Sequence, residues 1–444
     1  MGPEISIKDK YINRLSKFEP VRLKGTIVRV VGLTFESIGP IISVGEKCHI
    51  FSKSGKLIGS AEVVGFKDNR VILMPLGEIT GISYGCTVVA SGEPFTIPVG
   101  EKLLGRVINP LGEPIDGKGA LEYEKKISLF NVPPEPLKRR RINEAIPTGI
   151  KAIDGVCTIG KGQRLGIFSG SGIGKSIMLG MIARNTEADI NVIALVGERS
   201  REVKDFIEGD LKEKGLERSV VVVVTSSEPA LLKIKGAMAA TAISEYFRDK
   251  GNDVMLMMDS ATRIAMAQRE VGLSAGEPPT SKGYPPSVYA LLPRLLERSG
   301  TSDKGSITGL YTVLVEGDDI TEPVSDAMRA ILDGHIVLSR KLAASNHYPA
   351  IDVLNSISRL AIDITTDEHQ SSARKLIDLV NTFQNSEDLI NIGAYVKGSN
   401  LKIDKAIDMI DRINDFLKQG IFESVDYKST IESLLELMKE NNAD

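Results

Sequence analysis

The sequence predicts an α/β protein whose central part is a mainly parallel, doubly wound sheet, preceded by a small β domain and followed by a helical segment. Three observations predict it. Short β-branched runs crowd the first hundred residues between glycine turns. From about residue 148 to 365, apolar strand candidates alternate with amphipathic helical stretches, the pattern of a parallel sheet covered on both faces. After about 366 the apolar residues recur at helical spacing alone.

Taken in order, residues 1 to about 20 are polar with scattered apolar positions, consistent with a helix. Met1-Gly2 with Ser6 formally matches a myristoylation pattern, but Glu4 and the lack of a polybasic follow-up make it an accident of composition. In the runs Gly25-Thr-Ile-Val-Arg-Val-Val31, Ala61-Glu-Val-Val-Gly65 and Arg70-Val-Ile-Leu-Met74, the expectation is a small antiparallel barrel or sandwich ending near residue 92. Residues 93–147 are rich in proline and glycine and read as a connector with local turns. Lys138-Arg-Arg-Arg141 within it reads as a solvated charge run, with nucleic-acid or lipid contact as the minority reading.

Strands are expected at 164–168, 192–196, 220–225, 254–258 and 306–315. The helical segment, 366–444, carries apolar sets such as Leu376, Leu379, Val380 and Phe383, then Ile403, Ile407, Ile410, Ile413 and Leu417. The division is therefore 1–92, 93–365 and 366–444.

The totals exclude several classes. Lys+Arg 55 against Asp+Glu 58 gives a net charge of -3, which is no footprint of a nucleic-acid binder. Three widely spaced cysteines offer neither a disulfide framework nor a zinc site and suit a reducing, cytoplasmic compartment. No apolar run approaches the length of a membrane span, and the first residues contain no signal-peptide apolar core.

One stretch carries the chemistry: Leu165-Gly-Ile-Phe-Ser-Gly-Ser-Gly-Ile-Gly-Lys-Ser176. An apolar strand, a glycine-rich turn and a helix opening on Lys-Ser form the architecture of a phosphate-binding loop. Gly170, Gly172 and Gly174 let the main chain bend and turn its N–H groups inward, Ser171 and Ile173 sitting between them. The helix N-terminus adds free donors and a partial positive charge. Lys175 is placed to reach the β- and γ-phosphates of ATP, and the Ser176 hydroxyl to coordinate Mg²⁺. Ser169 stands where the strict pattern has glycine.

Two more strand ends belong with the loop. Val254-Met-Leu-Met-Met-Asp259 ends in a carboxylate that a parallel sheet sets beside the phosphates, able to hold a Mg²⁺-bound water; a helix N-cap is the alternative. Val192-Ile-Ala-Leu-Val-Gly-Glu198 ends in a carboxylate able to polarise an attacking water, followed by Arg199 as a phosphate brace; an ordinary solvated loop is the alternative. Arg263 lies just past Asp259, while Tyr348 and Arg359 follow the last strands with nothing in their own surroundings to assign them.

From about residue 147 to 360 the chain closely resembles the ATPases of type III export apparatus, the flagellum-specific branch in particular, and more distantly the catalytic β subunit of rotary ATP synthases. The resemblance runs through Gly162-Gln-Arg-Leu-Gly166, the phosphate loop, Gly197-Glu-Arg-Ser-Arg-Glu202, Asp259-Ser-Ala-Thr-Arg263, Leu295-Leu-Glu-Arg-Ser-Gly300 and Ile331-Leu-Asp-Gly-His-Ile-Val-Leu-Ser-Arg340. It implies a RecA-like P-loop NTPase core, an N-terminal barrel and a C-terminal helical domain. It also implies Glu198 as the water-activating carboxylate with Arg199 near the γ-phosphate, Asp259 as the Mg²⁺ support, Arg263 near the phosphates and Tyr348 stacking on adenine. Arg359 resembles the finger given to a neighbouring subunit, so the working enzyme would be a homohexameric ring with residues 272–284 facing its central hole.

The implied partners are stalk and stator proteins of the export apparatus, export chaperones and their substrates, with peripheral attachment at the membrane export gate and no nucleic acid. A virulence injectisome is the alternative setting. A rotary synthase subunit is a weaker reading, since the C-terminal helices lack an Asp-Glu-Leu-Ser-Glu-Glu-Asp-like segment. An RNA-dependent ring helicase is weaker still: the acidic balance speaks weakly against it, and the segments Gly276-Glu-Pro-Pro279 and Val315-Glu-Gly-Asp-Asp319 speak more strongly.

Overall fold

Alternation of buried and half-buried side chains, as in Lys47–Phe51 where Cys48 and Ile50 are the buried ones, helps fold the first described segment into strands with one apolar face. A computed structural model describes residues 23–78, 80–92, 94–315 and 322–439. The helix expected within residues 1–20, the Met1-Gly2 pattern and most of Val315-Glu-Gly-Asp-Asp319 lie outside them.

Six strands, β1 (Lys24–Val31), β2 (Thr34–Ile38), β3 (Lys47–Phe51), β4 (Leu57–Lys67), β5 (Arg70–Pro75) and β6 (Thr87–Ala90), close into an antiparallel barrel in the order β1-β2-β5-β4-β3-β6. Of the two expected forms, barrel or sandwich, it is the barrel. Closure leaves no free edge, and Ile27, Ile50, Val63, Leu73 and Val88 fill the interior.

The second unit is a sheet with helices. After β7 (Thr96–Val99), β8 (Arg106–Ile108) and β9 (Lys125–Ser128) come β10 (Arg164–Ser169), β11 (Ile190–Glu198), β12 (Ser219–Thr225), β13 (Asp253–Asp259), β14 (Gly300–Thr301), β15 (Ser306–Leu314), β16 (Gly334–Leu338) and β17 (Ile351–Ser358). The sheet runs β17-β16-β10-β15-β13-β11-β12-β8. From β16 to β8 all pairs are parallel, while β17 runs antiparallel to β16 and β14 to β15. The parallel strands read as unbroken apolar runs because both faces are covered: every residue of Val220–Val224 is buried.

The helices used below are α1 (Lys175–Asn185), α2 (Ala230–Asp249), α3 (Ala261–Ala275), α4 (Pro286–Leu296), α5 (Pro323–Ile331), α6 (Asp367–Asn391), α7 (Leu401–Leu417) and α8 (Tyr427–Lys439). The C-terminal helices α6 to α8 bury Leu376, Ile413, Phe416 and Leu434 in the same core as Ile153 and Leu179. Arg184, in the last turn of α1, donates to the Ile421 carbonyl at 2.6 Å, with its guanidinium 5.3 Å from the centre of the Phe422 ring.

Two expectations for residues 93–147 need correction. The segment is more than a connector. β8 joins the sheet edge parallel to β12, and β7 pairs with β9 as a two-stranded ribbon. The charge run at 138–141 is exposed at Lys138, Arg140 and Arg141, but it is more than a solvated face. Arg139 donates to the carbonyls of Glu297 and Ser299, and Arg140 to that of Ser302 at 2.9 Å. These carbonyls follow the C-terminus of α4, where the main chain has acceptors to spare. The two guanidinium groups thus fasten the entering chain to the core, while Lys138 stays exposed in an ion pair with Glu135.

Beneath this junction Arg298 and Glu245 of α2 form a two-pronged ion pair at 2.8 and 2.7 Å, both side chains 5 % exposed. Asn131 also donates to Glu245, at 2.7 Å, and Arg298 donates to the Leu129 carbonyl. Removing one member strands a buried charge, so Glu245→Ala should cost about 3–5 kcal/mol, read as a lower urea midpoint for the core transition.

Candidate active site

In a parallel sheet all strands end at one edge, and here β10, β11, β13 and β15 deliver their last residues to the same place. The chain leaves β10 through residues 170–174 and enters α1 at Lys175. Gly172 (φ 78°) and Gly174 (φ 92°) occupy the left-handed region, so the bend depends on them. No acidic residue sits in the first turn of α1, leaving its positive end unopposed.

Above the loop opens a cavity of about 810 Å³. Gly170, Ser171, Gly172, Gly174, Lys175 and Ser176 form one wall. Glu198, Arg199, Arg263 and Arg340 stand around the rest. Gly197 (φ 77°) makes room for this arrangement. A Cβ there would lie 3.0 Å from Cγ of Arg263.

At the floor, the Lys175 ammonium donates to Oδ1 of Asp259 and lies 3.8 Å from Oε1 of Glu198. Asp259 is 3 % exposed at its side chain, behind the lysine. Thr312 of β15 donates its hydroxyl to the same Oδ1 at 2.7 Å. Glu198 is pushed up to about 7, first by burial, then by the negative charge of Asp259, with Lys175 opposing. Glu202 is held below the usual carboxylate range by a hydrogen bond shared with Glu198 and by Arg199, whose guanidinium lies 3.2 Å away. The cluster thus sets Lys175 and Arg199 against three carboxylates, and burial together with the charge of Asp259 raises the proton affinity of Glu198.

A second cavity of about 560 Å³ adjoins the first, with Gly174 and Ile177 lining both. Ile173, Tyr348 and Ile421 line it, so the loop's one apolar side chain turns away from the phosphate side. Gln419 closes this region by accepting from the Lys151 N–H at 2.9 Å and donating to the Gly149 carbonyl at 2.7 Å.

The structure thus gathers Gly170, Ser171, Gly172, Gly174, Lys175, Ser176, Glu198, Arg199 and Arg263 at one cavity, with Asp259 beneath, and Ile173 and Tyr348 at its neighbour. It does not bring in two of the expected residues. The Ser169 side chain is 2 % exposed and lines neither cavity, and its hydroxyl finds no partner among the described residues. Its main chain is used instead, accepting from Val315 at 3.0 Å. Arg359 lies at the end of β17, exposed, reaching the Arg329 carbonyl at 3.4 Å, and lines neither cavity of its own protomer.

Thr312, Glu202 and Arg340 went unread in the sequence as site residues. No local spacing marks Thr312, whose place comes from the pairing of β15 with β13.

Among the described residues no group of three or more histidine, cysteine or carboxylate side chains is arranged to hold a metal by itself. One hydroxyl, Ser176, and one carboxylate, Asp259, suit a hard divalent cation that keeps its waters and takes its remaining ligands from a substrate's phosphates.

The chain was compared with known proteins. The ATP synthase alpha/beta family, nucleotide-binding domain, matches residues 149–358. The beta-barrel domain of the same family matches 25–92, and the T3SS EscN ATPase C-terminal domain 365–436. A flagellum-specific ATP synthase of Bacillus subtilis (strain 168) is 55% identical over 415 residues, 93% of this chain and 94% of that one. A type 3 secretion system ATPase of Xanthomonas euvesicatoria is 48% identical over 413 residues, 93% of each. The assembled ATPase EscN of the enteropathogenic E. coli type III secretion system superposes with a TM-score of 0.88 at 44% identity, over 93% of this chain and 100% of that one. The same ATPase in complex with its central stalk EscO gives 0.85 over the same shares.

Because its folded-state value lies above the ordinary 4.5, Glu198 contributes stability that is complete below about 4.5 and lost as pH rises through about 7. At pH 8 the ionised group is a liability that an amide lacks. The Tm of Glu198→Gln, relative to wild type without nucleotide, should rise between pH 5 and pH 8; a gap flat across that range contradicts the burial argument.

Proposed function

The chain belongs to the ATP synthase alpha/beta family, in its branch of flagellum-specific and type III secretion ATPases, and on that premise we propose that a homohexameric ring of it hydrolyses MgATP to energise protein export through a flagellar type III apparatus. The observation that carries the reading is the joint placement of the phosphate loop, Lys175, Glu198 and Asp259 at one edge of the sheet. A purely nucleotide-binding fold needs the loop and lysine; a buried carboxylate poised near neutrality beside them is the mark of a hydrolase.

The loop amides and Lys175 grip the phosphates, for which the ammonium must leave Asp259. Ser176 and Asp259 would hold a magnesium ion, which would supply neutralisation of the charge on the phosphate oxygens. Glu198, in its ionised form, orients a water in line with the γ-phosphate and accepts its proton as the water's oxygen bonds to phosphorus and the P–O bond to the ADP leaving group breaks. Arg199 and Arg263 brace the phosphate oxygens. The adenine lies in the neighbouring cavity against Tyr348. Arg359, exposed and lining neither cavity of its own protomer, completes the pocket of the next one in the ring.

Turnover around the ring changes the subunit interfaces and drives release of chaperones and unfolding of export substrates. The ring works at the inner face of a membrane export gate. No helix among the described residues is long and apolar enough to cross a membrane, so attachment runs through stalk and stator proteins. A stalk partner is supported by the relative solved with its central stalk. A virulence injectisome is the second reading, favoured by the likeness to the Xanthomonas and E. coli secretion ATPases. The C-terminal match to the secretion branch speaks against a rotary synthase subunit.

Arg359→Ala should lower kcat about 10³-fold with nucleotide affinity retained, and Glu198→Gln should bind ATP but scarcely turn it over. Mixing the two variants makes sites that combine an intact Glu198 with a neighbour's intact Arg359. Their steady-state ATPase should recover in part. A mixture as inactive as its components would put the arginine and the carboxylate to work in the same protomer and overturn the shared site.

A further inference from the structure

Strand β15 is buried throughout, yet it carries two threonines with no exposure at all, Thr308 and Thr312. A buried hydroxyl without a partner is costly, so each should have a task. Thr308 accepts from the Gly162 N–H at 2.9 Å and secures the turn before β10. Thr312 faces β13 instead. Its hydroxyl oxygen lies 2.7 Å from Oδ1 of Asp259 and 3.3 Å from the Met258 carbonyl. It has one proton to give, and the shorter, charge-assisted contact takes it.

Two groups therefore hold Asp259, and both hold the same oxygen, Oδ1. Oδ2 has no hydrogen-bond partner among the described residues. The two holders differ in permanence. Lys175 sits on a long, rotatable chain at the mouth of the loop and is needed by the phosphates. Thr312 is β-branched, fixed in the middle of a sheet, and has little rotameric freedom.

We propose that Thr312 is a positioning residue for metal binding: its hydroxyl pins Oδ1 of Asp259 once Lys175 has moved to the nucleotide, so that Oδ2 stays turned toward the cation's water shell. The inference rests on the reading of Asp259 given above. Thr312 does not touch substrate; it sets the torsion of a carboxylate that would otherwise swing when the lysine leaves. Outer partners of this kind are worth about 10–100-fold in metal affinity.

The test measures binding rather than turnover. Magnesium chloride is titrated into full-length protein with a slowly hydrolysed, fluorescent ATP analogue, and the half-saturating Mg²⁺ concentration is read; the same analogue is also titrated in EDTA. Thr312→Val should raise the Mg²⁺ half-saturation about tenfold, while its affinity in EDTA stays that of wild type. Thr312→Ser, which restores the hydroxyl, should return the Mg²⁺ value to within about twofold of wild type by the same reasoning. If valine does not fold, Thr312→Ala decides in the same way.

A merely structural threonine would weaken analogue binding with and without metal alike, and that result overturns the proposal. So does a valine variant with wild-type Mg²⁺ dependence when Asp259→Asn shifts it. If Asp259→Asn leaves Mg²⁺ dependence unmoved as well, the metal role of Asp259 falls and Thr312's role with it.

Discussion

A single ammonium shared between two carboxylates at the bottom of a cleft governs this site. Lys175 reaches Asp259 directly and Glu198 at 3.8 Å, all three largely shielded from water. In so low a dielectric, an unbalanced charge is costly, and the imbalance appears as the raised proton affinity of Glu198. Everything nearby serves to hold the three together. Parallel pairing of β10, β15, β13 and β11 sets the strand ends side by side, and glycines at 172, 174 and 197 allow the backbone conformations that aim the side chains inward.

That balance also explains why the empty and loaded site must differ. A triphosphate would add negative charge to a cleft whose carboxylates already share one lysine, so its grip on the loop requires the lysine to change partners. The structure stands on one side of this exchange, with the ammonium parked on the carboxylate that the cation would use.

The sequence made much of this readable, for a physical reason. Glu198 and Asp259 each sit where an apolar run stops, and a run that stops at a charge in a parallel sheet has one edge to go to; Lys175 reaches that edge through the glycine turn after β10. Thr312 was not readable because its meaning comes from lateral pairing of β13 with β15, which no local spacing records. Arg139 and Arg140 were misjudged for a similar reason: their acceptors are main-chain carbonyls some 160 residues away, and a carbonyl leaves no mark in a sequence. β8 escaped because three residues between prolines and glycines carry no periodicity. Ser169 holds the place of the strict pattern's first glycine, and a sheet covered on both faces buries its side chain. Tyr348 and Arg359 had only the family resemblance to speak for them, and the structure gives the tyrosine a wall beside the loop and the arginine an outward position.

Helix α1 is pinned at both ends. Its first residue is the lysine in the cleft, and its last turn is hooked through Arg184 to the main chain of Ile421 and the ring of Phe422. Eleven residues of hydrogen-bonded helix span about 16 Å and do not shorten, so the rod behaves as a lever arm. A tilt of this rod would therefore displace both of its ends, the lysine in the cleft and the hook on the segment joining α7 to α8.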